Sequence, residues 1–155
     1  MYSSRSIVAV PPGFTIREQL QDRQMTQKEF AARMGFSEKH VSKLINGEVE
    51  LTPETAVKLE YVLGIPAKYW NRLEAAYRED LERARQENAM ETEEELVTQF
   101  QYPELERRGL VPSCETVQEK VIALRKYYGV VSLSLVWNPQ VHLREKVLLA
   151  PDHWE

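Results

Sequence analysis

Residues 27–46 read QKEFAARMGFSEKHVSKLIN, and the fold turns on how they are read. Thr26 stands where an N-cap is wanted, and Glu29 follows three residues later in the pattern of a capping box. The helix so opened carries Phe30, Ala31 and Met34 on one side. Gly35 can take the left-handed conformation that ends a helix cheaply. Ser37 caps a second helix, in which Val41, Leu44 and Ile45 keep the i, i+3, i+4 spacing of a buried face. Asn46-Gly47 closes it.

Two short helices joined by a tight turn containing Gly are a helix-turn-helix, whose second helix is the one that enters a DNA groove. Ala31 is small where that second helix must pack close, and Gly35 lies four residues on. The face opposite the apolar stripe offers Glu38, Lys39, His40, Ser42 and Lys43, all able to donate to or accept from base edges and phosphates. The competing reading is an amphipathic helix pair with an ordinary solvated face. The joint match at Gln27, Ala31, Gly35, Val41, Leu44 and Asn46 favours the DNA-reading motif.

Outward from this pair, residues 1–12 read as an extended N-terminal arm, because Pro11-Pro12 disfavours helix up to that point. A first helix is expected over about 13–24, with Phe14, Ile16 and Leu20 on its core side. Thr52-Pro53-Glu54 opens a fourth helix with a cap, a Pro at the first position and an acid in the first turn. Ala56, Leu59 and Leu63 line that helix, and Gly64 ends it. A fifth helix starts near Pro66 and continues to about Glu87 on the stripe Leu73, Tyr77, Leu81. Its aromatics Tyr69, Trp70 and Tyr77 read either as core packing against the fourth helix or, together with the C-terminal unit, as a first candidate for a dimer surface.

These residues resemble the XRE (Cro/C1-type) helix-turn-helix family, and more narrowly the HigA-type antitoxins of its VapI subfamily. The resemblance rests on Pro12-Gly13, Met25-Thr26-Gln27-Lys28-Glu29, Val41-Ser42-Lys43-Leu44-Ile45-Asn46-Gly47, Leu51-Thr52-Pro53-Glu54-Thr55-Ala56, Leu63-Gly64, and Tyr69-Trp70 through Tyr77. It covers about residues 11–78 and implies a five-helix, lambda-repressor-like bundle. It also implies roles. Gln27 would bond a backbone phosphate and brace the recognition helix. Ser37, Glu38, Lys39 and Lys43 would reach base edges, and His40, Ser42 and Asn46 would reach phosphates or flanking bases. Glu38 has an ordinary alternative, since an acid in the first turn stabilises its own helix and repels phosphate. Gln24 departs from the subfamily, which commonly has Gly at that helix end.

Composition bounds the rest. The net charge of −4 over 155 residues is unevenly spread. Residues 1–66 carry eight Lys/Arg and eight Asp/Glu, so the motif is neutral and the excess acid lies beyond it. A neutral module binds DNA of any sequence weakly, so tight binding needs specific contacts and a dimer. No apolar run approaches the ~20 residues of a membrane span, and the first residues lack a signal-peptide pattern, so the expected location is cytoplasmic. The single Cys114 excludes an intrachain disulfide.

From Glu74 to Glu95 nine acids face three arginines, either a solvated helix side or an acidic surface for a partner such as a basic toxin. The helix-turn-helix domain is expected over 13–88, followed by a small α/β-type C-terminal unit over 89–155. In that unit Thr92 and Glu95 pattern as a capping box, and helices are expected at 93–101, 103–108 and 113–128. The last of these has Ser113 as cap and Val117, Val121, Leu124 and Tyr128 as its stripe. Val131, Leu133, Leu135 and Trp137 alternate like a half-buried strand, with a second short strand over 146–150. The span 102–130 faintly resembles the connector that joins such a helix-turn-helix to ImmA/IrrE-type metallopeptidase domains.

No catalytic set presents itself. The three histidines, His40, His142 and His153, have no His-Glu-x-x-His spacing, and His142 with Glu145 reads as a surface pair. There is no Cys pair for zinc and no glycine-rich phosphate loop. The expectation is therefore a mainly α, non-enzymatic protein needing no metal or cofactor. It would be a repressor of the antitoxin kind, binding an inverted-repeat operator in double-stranded DNA as a homodimer, with a cognate toxin as a further partner. The alternative is a protein-interaction module, a toxin neutraliser or a regulator fragment, in which DNA binding is secondary. A remnant enzyme, which would hold zinc, is the third reading.

Overall fold

Three side-chain caps set the frame of the first half of the chain in a computed structural model that describes residues 1–149. The hydroxyls of Thr26, Ser37 and Thr52 accept from the backbone N–H groups of Glu29, His40 and Thr55 at 3.1, 3.1 and 3.2 Å. They open α2 (Gln27–Met34), α3 (Glu38–Ile45) and α4 (Pro53–Leu63). Each cap satisfies a donor that the helix start leaves without a partner and stabilises its helix by about 1 kcal/mol. The reciprocal half of the expected capping box at Thr26 is replaced, because the Glu29 carboxylate pairs with Arg33 at 3.0 Å.

The chain divides into two compact units, Met1–Arg85 and Gln86–Glu155. In the first, α1 (Gly13–Asp22), α2, α3, α4 and the opening of α5 (Ala67–Ala89) surround one core. Ile16, Phe30, Val41, Leu59 and Trp70 are fully buried there, each contributing roughly 1.5–3 kcal/mol or more of hydrophobic stabilisation. Phe14 departs from the expected core side and stays 36% exposed beneath the Arg17 guanidinium. At about 100° per residue the buried trio Gly13, Ile16 and Leu20 forms one stripe, and Phe14 falls outside it. Trp70 and Tyr77 are buried within this unit, which leaves Tyr69 alone of the three aromatics on the surface.

Residues 1–12 are not an extended arm. Tyr2–Ser3 (β1) and Val8–Ala9 (β2) pair antiparallel, Tyr2 opposite Ala9, and Ala9 is fully buried with Tyr77 and Leu81 of α5.

The second unit has a core of its own, built on Phe100, Tyr102, Leu105, Val121, Leu124 and Leu133. Its elements are 3₁₀ segments at Met90–Thr92 and Glu94–Phe100, then α6 (Tyr102–Arg107), α7 (Val117–Tyr128) and a 3₁₀ segment at Leu133–Trp137. The expected strand at 131–137 is thus a short helix, and the unit is not of α/β type over its described residues. Leu133 and Val136 are buried while Val131 is 79% exposed, a spacing of three that a short apolar run cannot distinguish from alternation. Residues 146–149 are irregular, and Ala150, the end of the second expected strand, lies outside the described residues.

The expected helix at 93–101 is 3₁₀, and the Thr92 hydroxyl donates to the Ala89 carbonyl at 2.9 Å instead of capping. The helix expected from Ser113 starts at Val117, because Thr116 accepts from the Glu119 N–H at 3.2 Å and is the cap. Val117 then falls at the mouth of the helix and is 43% exposed.

Glu93 ties this unit together. Its carboxylate, 4% exposed, pairs with Arg125 of α7 and accepts from the Ser132 hydroxyl at 2.5 Å and the Leu133 N–H at 2.7 Å. Burial alone would raise its pKa, but the donors from Ser132, Leu133 and Arg125 outweigh it and hold the carboxyl below its ordinary value. Among the described residues no helix is long and apolar enough to cross a membrane.

Candidate nucleic-acid interface

The α2–turn–α3 segment is fixed at both ends. Gly35 takes φ 68°, ψ 28°, and the next N–H, of Phe36, returns to the Ala31 carbonyl at 2.9 Å, closing α2 as a Schellman turn. α3 buries Val41, Leu44 and Ile45 against the core. At its far end the backbone of Ile45 lies on Gly13, where a β-carbon would come within 1.9 Å of the Ile45 carbonyl oxygen. Gly47, at φ 77°, packs on the Pro11 ring in the same way, with 2.8 Å available to a β-carbon. Pro12-Gly13 and Asn46-Gly47 are therefore one joint between the first helix and the third.

The outer face of α3 follows from these anchors. Glu38, Ser42, Asn46, Lys39 and Lys43 are all exposed and fall within an arc of about 140°. Ser37 is exposed at the cap. Among the described residues neither Lys39 nor Lys43 has an acidic partner, whereas Arg33 and Lys58 nearby in sequence are paired with Glu29 and Glu54. Two free ammonium groups one turn apart can each donate to a guanine edge or a phosphate.

His40 lies about 60° beyond that arc. Its half-buried ring meets Phe36 edge-on, with centroids 4.6 Å apart and planes at 81°, so it borders the face. Gln27 is exposed as the first residue of α2 and makes no side-chain hydrogen bond to α3 among the described residues.

Two residues join the set that sequence reasoning did not single out. Arg17 of α1 donates from Nη2 to the Asn46 Oδ1 at 3.2 Å, and it also lines a recess of about 350 Å³ with Gln21, Gln24, Thr26 and Gln27. Arg17 therefore bridges the position of Gln27 to that of Asn46. Nothing local flags it, since its partner is 29 residues away. Lys28, the second residue of α2, is an exposed cation with no acidic partner among the described residues. Its signal was available as a basic residue beside Gln27 at a helix start.

A capped helix pair joined by a left-handed glycine, whose second helix is anchored at both ends and shows a polar face with free lysines, defines a helix-turn-helix regulator module. The chain belongs to the helix-turn-helix family, of XRE type: the family model described as Helix-turn-helix matches residues 16–70. A relative from Escherichia coli (strain K12), the uncharacterized HTH-type transcriptional regulator YddM, is 36% identical over 66 residues, which are 43% of this chain and 70% of that one. Two solved structures are also similar. One is an addiction module antidote protein of a HigA family from Coxiella burnetii, at 23% identity and a TM-score of 0.49, covering 55% of this chain and 94% of that one. The other, from Nostoc punctiforme, is assigned as an antidote protein of a plasmid maintenance system; identity is 28%, the TM-score 0.49 and the coverage 58% and 97%.

Proposed function

We propose that this chain is a sequence-specific DNA-binding transcriptional repressor. The observation that carries the reading is the exposed Lys39 and Lys43, without an acidic partner among the described residues, on a helix capped by Ser37 and seated on Gly13 at its far end. α3 would lie in the major groove. Lys43 and Lys39 would donate to guanine O6 and N7, and Glu38 would accept from cytosine N4. Ser37 would complete the base-facing set, and Ser42 would reach a phosphate or a flanking base. Gln27, Arg17 and Lys28 would hold phosphates, with Asn46 kept in place by Arg17 and His40 at the margin of the face. The neutral charge of residues 1–66 makes binding to arbitrary sequence weak, which suits a homodimer on an inverted repeat. Its half-sites would lie about 34–36 Å apart.

The sequence resemblance to HigA-type antitoxins supports a narrower form of this reading. The chain would repress its own operon in the cytoplasm, need no cofactor, catalyse nothing and neutralise a cognate toxin. A second observation favours a protein-interaction role for residues beyond the motif: they form a unit with its own buried core, more than a DNA-reading head requires.

The test is footprinting of the purified chain on the DNA upstream of its own gene. Protection of an inverted repeat that is lost with Lys43→Ala supports autorepression. Affinity equal to that for random DNA would overturn the repressor reading and leave the interaction module.

A further inference from the structure

Residues 86–149 hold seven Lys/Arg. Arg107 and Arg108 share Glu104 at 2.5 and 2.9 Å, Arg125 pairs with Glu93, and Lys120 stands over the Tyr102 ring, 5.4 Å from its centroid. The three others, Lys126, Arg144 and Lys146, have no acidic partner among the described residues, and all three line one open cleft of about 600 Å³. His142 and Glu145 line it too, so the Lys and Arg side chains of the cleft exceed its acids by two. In a chain of net charge −4 this is a local reversal of sign. The C-terminal end of α7 adds about half a negative charge and leaves the cleft clearly positive.

The walls are held in place. The Tyr128 hydroxyl donates to the Val147 carbonyl at 2.6 Å, and the Val147 N–H donates to the Tyr127 hydroxyl at 3.0 Å. Burial pushes the Tyr128 hydroxyl up to about 12, so it remains a donor. Lys146 rests over the Tyr127 ring at 4.7 Å, and Arg144 is held at φ 53°, a conformation costly for a residue with a side chain. The volume lies in the range of small-molecule sites.

The geometry points to an anion-binding site in this unit for a small phosphorylated ligand of the pyrophosphate or nucleoside-diphosphate class, held by Lys126, Arg144 and Lys146. Arg144 supplies a fork that matches two phosphate oxygens, and the lysines supply point charges. The ligand would load the C-terminal unit independently of whether α3 reads DNA.

The experiment is calorimetric titration of the full chain with pyrophosphate at low salt. The same titration is run on Arg144→Ala, Lys126→Ala and, as a control of equal charge change elsewhere, Lys68→Ala, all three being surface positions. One saturable site per chain is expected, weakened about tenfold or more by either cleft variant and unchanged by Lys68→Ala. Absence of saturable binding would overturn the assignment. So would equal weakening by Lys68→Ala, which would mean diffuse attraction. A third contrary result is unchanged pyrophosphate binding with a lower salt dependence of DNA binding in the cleft variants, which would make the cleft a phosphate contact for nucleic acid.

Discussion

Gly13 lies against the carbonyl group of Ile45 so closely that a β-carbon on it would stand 1.9 Å from the oxygen and 2.4 Å from the carbon. The obstacle is backbone, which cannot swing aside as a side chain can. Gly13→Ala must therefore push α3 off the first helix or unwind the start of α1. The expected cost is at or above the roughly 3 kcal/mol upper end for overpacking, a fall of about 10 °C or more in Tm. Thermal unfolding followed by circular dichroism checks this. A variant melting within a few degrees of the parent would show that the joint between α1 and α3 is loose.

Gln24 sits at φ 55° between α1 and α2, in the left-handed region that a side chain disfavours. Gln24→Gly should stabilise the chain by about 1 kcal/mol despite the added freedom of the unfolded chain. Denaturant titration reads the change as a higher midpoint at unchanged slope. A lower midpoint would mean that the Gln24 side chain contributes more than its backbone costs.

Glu93 is buried between Arg125, Ser132 and Leu133. Removing its charge strands Arg125, so Glu93→Gln should cost about 3–5 kcal/mol, confined to the second unit. Because the folded carboxyl is held below its ordinary 4.5, its contribution is fully present above that pH and is lost as pH falls through the lower folded value. Amide exchange of residues 93–136 should therefore accelerate below about pH 4.5 in the parent chain, without the same step in the variant. Identical profiles would remove Glu93 from the account.

Arg17 donates to Asn46 and lines a recess with Gln27, the residue proposed to hold a phosphate. Arg17→Ala should weaken binding equally across sequences and lower the salt slope by about one, whereas loss at a base-reading position changes sequence preference. Anisotropy titrations on cognate and scrambled duplexes distinguish the two. A change of preference without a change of slope would place Arg17 among the base readers.

The parts of this protein that were legible in its sequence are those decided within a few residues. Thr26, Ser37 and Thr52 cap as their patterns say, and Gly35 and Gly64 close their helices in the left-handed conformation. The polar face of α3 follows from a period of 3.6 once Val41, Leu44 and Ile45 are turned inward. What depended on distant partners was not legible. Phe14 looks like core until Gly13 is seen to occupy the contact with Ile45. Residues 133–137 alternate well enough for a strand, but the Leu133 N–H goes to Glu93, 40 residues earlier, and the segment turns into a 3₁₀ helix. Arg17 and Asn46 meet across 29 residues with no pattern to announce it.

The most direct test of the central claim is the affinity of the chain and of Lys43→Ala for the upstream inverted repeat and a scrambled duplex, measured at several salt concentrations. Base reading by α3 predicts a clear preference for the repeat in the parent chain. It also predicts a loss of about 1–3 kcal/mol on the repeat in Lys43→Ala, with reduced discrimination between the two duplexes. Equal affinity of parent and variant for the repeat would contradict the assignment of α3 as the reading helix.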